Sequence, residues 1–218
     1  MAAIAENLQV VRARLAGSPG VTLLAVSKTQ PVERIKEAAA AGQRAFGENY
    51  VQEAVQKMQH LPALEWHLIG PLQSNKTRVA AERFDWVQTL ASEKIARRLS
   101  EQRPAHLPSL NVLIQVNVSG EATKSGVAPQ QVEALARAIS TLPHLTLRGL
   151  MAIPEPGAPR ARYQAVKALF DKLKGEFGFD TLSMGMSEDL DTALAEGSTM
   201  VRIGTAIFGA RTKEKSAA

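Results

Sequence analysis

The chain has 218 residues, 45% of them hydrophobic and 22% charged, which is the composition of an ordinary globular protein with enough length to bury a sizeable core. It has no cysteine, which excludes disulfides, thiolate metal sites and a cysteine nucleophile. The formal net charge of +5 is spread along the chain and aromatics make up only 5%, too little stacking surface for a nucleic-acid face but compatible with a phosphorylated small molecule.

Ile4, Leu8, Val11 and Leu15 fall at helical spacing and predict an amphipathic helix over residues 1–16, not a secretory signal. No apolar run approaches the roughly 20 residues that span a bilayer. Together with the missing cysteines, this points to a cytoplasmic protein without membrane partners. After the Gly17 to Gly20 turn, Val21 to Val26 reads as a buried strand that leads to Lys28. Pro31 then opens a helix with Val32, Ile35, Ala38 and Ala39 inward, and Gly42 ends it. Arg44 to Gly47 is a short strand. Tyr50 to Gln59 is a helix presenting Val51, Ala54, Val55 and Met58, and Glu65 to Gly70 is the third strand. A short helix follows from Lys76 to Glu82. Trp86 and Val87 mark a fourth strand, and Ser92 is placed to cap the helix through Ile95 and Leu99.

The second half keeps the rhythm. Asn111 to Val118 is the clearest strand, and Pro129 opens a helix with Val132, Leu135, Ala136 and Ile139 inward. Leu145 to Met151 is a strand. Arg160 to Lys174 is a helix burying Tyr163, Val166, Leu169, Phe170 and Leu173. Thr181 and Leu182 form a very short strand, Glu188 to Glu196 a helix stopped by Gly197, and Thr199 to Ile203 the eighth strand; residues 212–218 read as a flexible tail. Strands separated by helical stretches pair in parallel, and eight such units in about 200 residues predict a single-domain α/β protein, a (βα)8 TIM barrel over residues 1–218 with the extra N-terminal helix. An open doubly wound sheet is the alternative, but the Gly-x-Gly-x-x-Gly expected after its first strand is missing.

Barrel sites gather where the strands end. Residues predicted there are Ser27 and Lys28, Glu48 and Asn49, Gln73 to Asn75, Asn117, Met151, Met184 to Ser187, and Gly204 with Thr205. A lysine after a strand ordinarily snorkels to solvent. Burial of its stem favours the free amine instead, which is a nucleophile. Ser183-Met184-Gly185-Met186-Ser187 precedes an acidic helix start, and Arg202-Ile203-Gly204-Thr205-Ala206 follows strand eight. Free amides at a helix start, a close-approach glycine and hydroxyls in this part of a barrel suit a phosphate. Arg202, in an apolar strand, must either pair with a carboxylate or point at a ligand. His67 has no second histidine placed for a metal and reads as a core histidine; no metal site is expected. A nucleophilic lysine beside a phosphate cup fits a Schiff base, either with a phosphorylated substrate, as in an aldolase, or with pyridoxal phosphate.

The blocks Ala25 to Thr29, Phe46 to Glu53, His67 to Lys76, Ser183 to Asp189 and Val201 to Thr205 resemble the pyridoxal-phosphate homeostasis protein family, whose members look like the barrel domain of alanine racemase standing alone. The likeness runs from the first strand to Arg211. It implies that Lys28 carries pyridoxal 5′-phosphate as an aldimine. It also implies that Ser187, Gly204, Thr205 and the amide of Met186 hold the phosphate, that Arg202 faces the pyridine nitrogen and that Asn49 lies close by. Lys124 matches a lysine implicated near the site entrance, although Ser119-Gly120 replaces the usual serine–aspartate there.

An arginine can only donate, so the ring nitrogen facing it must be unprotonated, which weakens the ring as an electron sink. A racemase can tolerate this but needs a second acid/base, supplied in alanine racemase by a tyrosine from a second domain on a partner subunit. Here the tyrosines are Tyr50 and Tyr163, both on predicted helices and expected to pack. The resemblance therefore implies a monomeric protein that stores, buffers or delivers the cofactor to apo pyridoxal-phosphate enzymes without turning over substrate. A pyridoxal-phosphate-dependent amino-acid racemase is the alternative.

Overall fold

The computed structural model describes residues 3–121 and 125–209. Eight parallel strands close into a barrel in sequence order, each next to its sequence neighbour and the first against the last. They are β1 (Thr22–Val26), β2 (Ala45–Glu48), β3 (Glu65–Leu68), β4 (Trp86–Leu90), β5 (Leu110–Val116), β6 (Leu145–Ala152), β7 (Thr181–Ser183) and β8 (Met200–Ile203). The helices are α1 (Ile4–Leu15), α2 (Val32–Ala40), α3 (Val51–His60), α4 (Thr77–Arg83), α5 (Glu93–Gln102), α6 (Val132–Ser140), α7 (Arg160–Phe177), α8 (Leu190–Ala195) and α9 (Thr205–Phe208). The TIM barrel predicted from the alternation is the fold observed, and the extra N-terminal helix is α1, packed on α2 and α9.

The main core lies between the outer face of the sheet and the helices. Helical periodicity identified its inward residues well. Ile4, Leu8, Val11 and Leu15 of α1 are all buried, as are Val132, Leu135, Ala136 and Ile139 of α6. Inside the barrel the apolar filling is thin: Leu24, Ala45, Met200 and Ile69 form one small cluster, and Trp86, Leu113 and Met151 another. The remaining lumen positions include His67, Gln88, Ser183 and Arg202, all buried.

Three local expectations are corrected. Ser92 occupies the N-cap position of α5, but its hydroxyl caps no amide. The helix expected from Glu188 begins only at Leu190, because residues 187–189 form a turn held by Asp189. Tyr50 stands just before α3 and is 59% exposed rather than packed. Lys124 and the tail over residues 212–218 lie outside the described residues.

Candidate functional site

Lys28 follows β1 by two residues, and the strand's alternation decides where it goes. Ser27 turns outward into the sheet–helix layer, where it is fully buried. Lys28 turns to the barrel mouth and is half-buried. The next residue, Thr29, has φ 63°, a left-handed conformation that is unusual for a β-branched residue. Two groups on α3 hold this turn. Thr29 N–H donates to Glu53 Oε1 at 2.5 Å, and Lys57 Nζ donates to the Ser27 carbonyl at 2.8 Å.

Lys57 is itself buried, and it also donates to Glu53 Oε1 at 2.6 Å and to Glu48 Oε1 at 2.8 Å. The Ser27 hydroxyl donates to the same Glu48 oxygen at 2.5 Å. Glu48 therefore faces away from the mouth, although its place at a strand end had made it a site candidate. Desolvation pushes its carboxyl above the ordinary range against the pull of Lys57, and its second oxygen, Oε2, is buried without a hydrogen-bond partner.

The mouth holds a cavity of about 280 Å3, close to the ~300 Å3 at which small-ligand pockets begin. Lys28, Asn49, Met186, Ser187, Arg202, Gly204 and Thr205 all line it. Val26, Gln30, Ile69, Ile153, Glu188 and Gly209 complete the wall. Of these, Ile153 is an apolar residue one step past β6 that is left 38% exposed. Gln73, Ser74 and Asn75 do not reach this cavity; Asn117 lines an adjoining, more apolar recess with Ile153 and Met186. Gly70 at the end of β3 lets the chain pass under Asn49, since a Cβ there would sit 2.1 Å from the Asn49 carbonyl oxygen.

Ser187, Gly204 and Thr205 bring hydroxyls and a close-approach backbone to one side of the cavity. The first turn of α9 leaves its leading amides without partners inside the helix. The Met186 amide is already engaged, donating to Asp189 Oδ1 at 2.5 Å. Asp189 Oδ2 accepts from Tyr163 at 2.6 Å; desolvation and that carboxylate push the phenol's pKa up. Tyr163 is thus sealed behind the wall, and neither tyrosine lines the cavity.

Arg202 sits in the cavity floor, 3% exposed. Nη1 donates to Ser183 Oγ and Nη2 to the Ala152 carbonyl, both at 2.8 Å, and it makes no ion pair among the described residues. Burial lowers its pKa to about 10, with Asp189 pulling the other way, so it remains a cation at neutral pH. His67 is a core histidine: Nε2 lies 2.6 Å from Glu65 Oε1 and the ring stacks on Trp86 at 5.0 Å. No group of metal-ligating side chains occurs among the described residues, and no helix among them is long and apolar enough to cross a membrane.

The fold and this mouth define a barrel of the alanine racemase class. Residues 1–212 match the family model described as alanine racemase, N-terminal domain. Within that class the chain belongs to the pyridoxal phosphate homeostasis protein family. A relative of that name from Pseudomonas aeruginosa is 58% identical over 97% of both chains, and one from Vibrio cholerae is 55% identical over the full length of both. Among solved structures, PipY of Synechococcus elongatus with pyridoxal phosphate bound superposes with a TM-score of 0.85 at 39% identity, covering 94% of this chain and 100% of that one.

Proposed function

We propose that this protein holds pyridoxal 5′-phosphate through Lys28 and serves its homeostasis by storing and releasing the cofactor rather than by turning over substrate. The carrying observation is the convergence of Lys28, Arg202, Ser187, Gly204 and Thr205 on one cavity from opposite ends of the sequence. The donor set fits the group: an amine for an aldehyde, hydroxyls and backbone for a phosphate, and a fixed guanidinium for a ring nitrogen. When bound, the cofactor supplies a reactive aldehyde and a π-system that can delocalise negative charge. The chain's own part is to hold it. Lys28 binds the aldehyde carbon. Ser187, Thr205 and the backbone at Gly204 orient the phosphate, and Asn49 flanks the ring. The Met186 amide joins them only by sharing its hydrogen bond with Asp189.

A donor-only partner such as Arg202 keeps the ring nitrogen unprotonated and weakens the ring as an electron sink, which narrows the chemistry but which a racemase tolerates. Tyr163 is sealed behind Asp189, and Tyr50 does not line the cavity, so neither serves as the second acid/base that racemisation requires. The absence of cysteine suits a reducing cytoplasm, where the recipients are apo pyridoxal-phosphate enzymes.

The purified protein should carry a visible absorbance that borohydride abolishes, leaving the adduct on Lys28 and none in Lys28→Ala. A colourless protein, or an adduct on another lysine, overturns the reading. Robust racemisation of an amino acid that is lost in Lys28→Ala would establish the enzymatic alternative.

A further inference from the structure

The lumen of this barrel carries a row of buried polar side chains where such barrels ordinarily stack branched aliphatic ones. Buried polar groups persist only when they are paired, and these pair with one another across the barrel. Arg202 Nη1 lies 2.8 Å from Ser183 Oγ, which lies 2.7 Å from Gln88 Oε1. Gln88 Nε2 lies 2.8 Å from His67 Nδ1, and His67 Nε2 lies 2.6 Å from Glu65 Oε1. The row begins in the floor of the cavity on β8. It crosses from β7 to β4 and ends at Glu65, the first residue of β3, at the opposite mouth of the barrel. Glu65 is 46% exposed there.

Chemistry at the two ends fixes the direction of every link. An arginine can only donate, so Ser183 Oγ accepts from it. A carboxylate can only accept, so His67 Nε2 carries a proton; Glu65 is held below the ordinary carboxylate range chiefly by this bond. In a neutral imidazole Nδ1 is then the acceptor, and the amide nitrogen of Gln88 faces it. Gln88 Oε1 consequently faces Ser183, whose hydroxyl donates to it. The second proton on Gln88 Nε2 points to Met200 Sδ at 3.1 Å, which disfavours a flipped amide. All four bonds run one way, from guanidinium to carboxylate, and such aligned chains reinforce one another.

We propose that Glu65, His67, Gln88 and Ser183 are positioning residues for Arg202: a one-way hydrogen-bonded wire that fixes the guanidinium in the cavity floor and makes its orientation depend on the tautomer of His67 at the far side of the barrel. This rests on the reading that Arg202 meets the cofactor's ring nitrogen. The groups facing His67 are Glu65 and Asp85 from the strand and loop beside it, and Gln88. Arg148 stands beyond Trp86, over whose ring it lies at 5.1 Å, and also faces Glu65. Burial holds the imidazole below its ordinary pKa, so the wire is intact at neutral pH. A proton on Nδ1 would oppose the Gln88 amide, force it to turn and take the acceptor from Ser183.

The test has two readouts. In the cofactor-free protein, nitrogen NMR should show His67 as the neutral Nε2–H tautomer at pH 7, and Gln88→Glu should convert it to the imidazolium. In the loaded protein, Gln88→Met should weaken pyridoxal phosphate binding about tenfold, the size of one charge-assisted hydrogen bond. It should also move the visible band in the direction that Arg202→Leu moves it, and the double variant should be no worse than Arg202→Leu alone. The Nδ1–H tautomer in the wild type overturns the wire by itself. Binding within twofold of wild type in Gln88→Met, or additive effects in the double variant, overturns the positioning role. If Arg202→Leu alone changes neither band nor affinity while Lys28 still takes the cofactor, the placement of Arg202 at the ring falls, and the positioning role falls with it.

Discussion

Replacing Lys57 with methionine should unfasten the Lys28 turn. The lysine's ammonium touches three acceptors: Glu48 Oε1 at 2.8 Å, Glu53 Oε1 at 2.6 Å and the Ser27 carbonyl at 2.8 Å. The lysine and Glu48 side chains are 6% and 0% exposed, so removing one partner strands a buried carboxylate, at about 3–5 kcal/mol. The Glu53 pair is 26% exposed on the carboxylate side and adds less than about 1 kcal/mol. The deficit must also depend on pH. Glu48 already has a folded pKa above its ordinary value of 4.5, and losing Lys57 raises it further. Above pH 4.5 the folded variant therefore binds a proton that the unfolded chain releases, and its stability falls as pH rises. Toward the acid end, as Glu48 takes up its proton, the deficit shrinks toward that of the lost hydrogen bonds, roughly 1–2 kcal/mol. Urea denaturation at pH 5 and pH 8 reads the change, and Glu48→Gln in the Lys57→Met background should flatten the difference. A deficit below about 1 kcal/mol at pH 8, or one that does not grow from pH 5 to pH 8, would refute the argument.

Other consequences can be measured separately. Gly70→Ala puts a Cβ 2.1 Å from the Asn49 carbonyl oxygen and should cost about 3 kcal/mol by thermal or urea unfolding while loosening cofactor retention; a near-neutral result would contradict the close approach. His67 has a folded pKa depressed below 6.5 by burial, so as pH falls through 6.5 the unfolded chain takes a proton that the fold refuses and stability is lost. His67→Gln should remove that slope below pH 6.5, and an unchanged profile would mean that the ring is already charged. Ser187→Ala combined with Thr205→Val removes both hydroxyls from the cavity wall. It should weaken cofactor retention at least about tenfold by dialysis, and unchanged retention would put the phosphate elsewhere.

The barrel and the wall of the cavity were legible because both follow local rules. Apolar periodicity set the strands and helices, and barrel connectivity sent Lys28, Asn49, Ser187, Gly204 and Thr205 to the same mouth. What escaped was partnership across distance. Gln88 and Ser183 are 95 positions apart, and neither looks unusual in its own strand; only closure of the barrel makes the two meet. Lys57, four residues after Glu53, has the spacing of an exposed helix pair. Its burial comes from Glu48 and Ser27, which β1 and β2 place beneath it. Ser187 had the right residue type for a cap, but the Asp189 carboxylate takes the Met186 amide and shifts the helix start to Leu190.

The two buried networks reach the cofactor cavity from opposite faces of the same sheet. Outside it, Lys57, Glu48 and Glu53 brace the turn that carries Lys28; inside it, the row from Glu65 to Ser183 braces Arg202. Neither offers a proton to the mouth. Glu48 points away from the cavity, and its carboxyl is already shared by Lys57 and Ser27. His67 is kept neutral, with its one proton directed at Glu65 on the far side. On the proposed role, Glu48, Lys57 and His67 serve to hold a lysine and an arginine still, which locates the determinants of retention partly in residues that never touch the cavity.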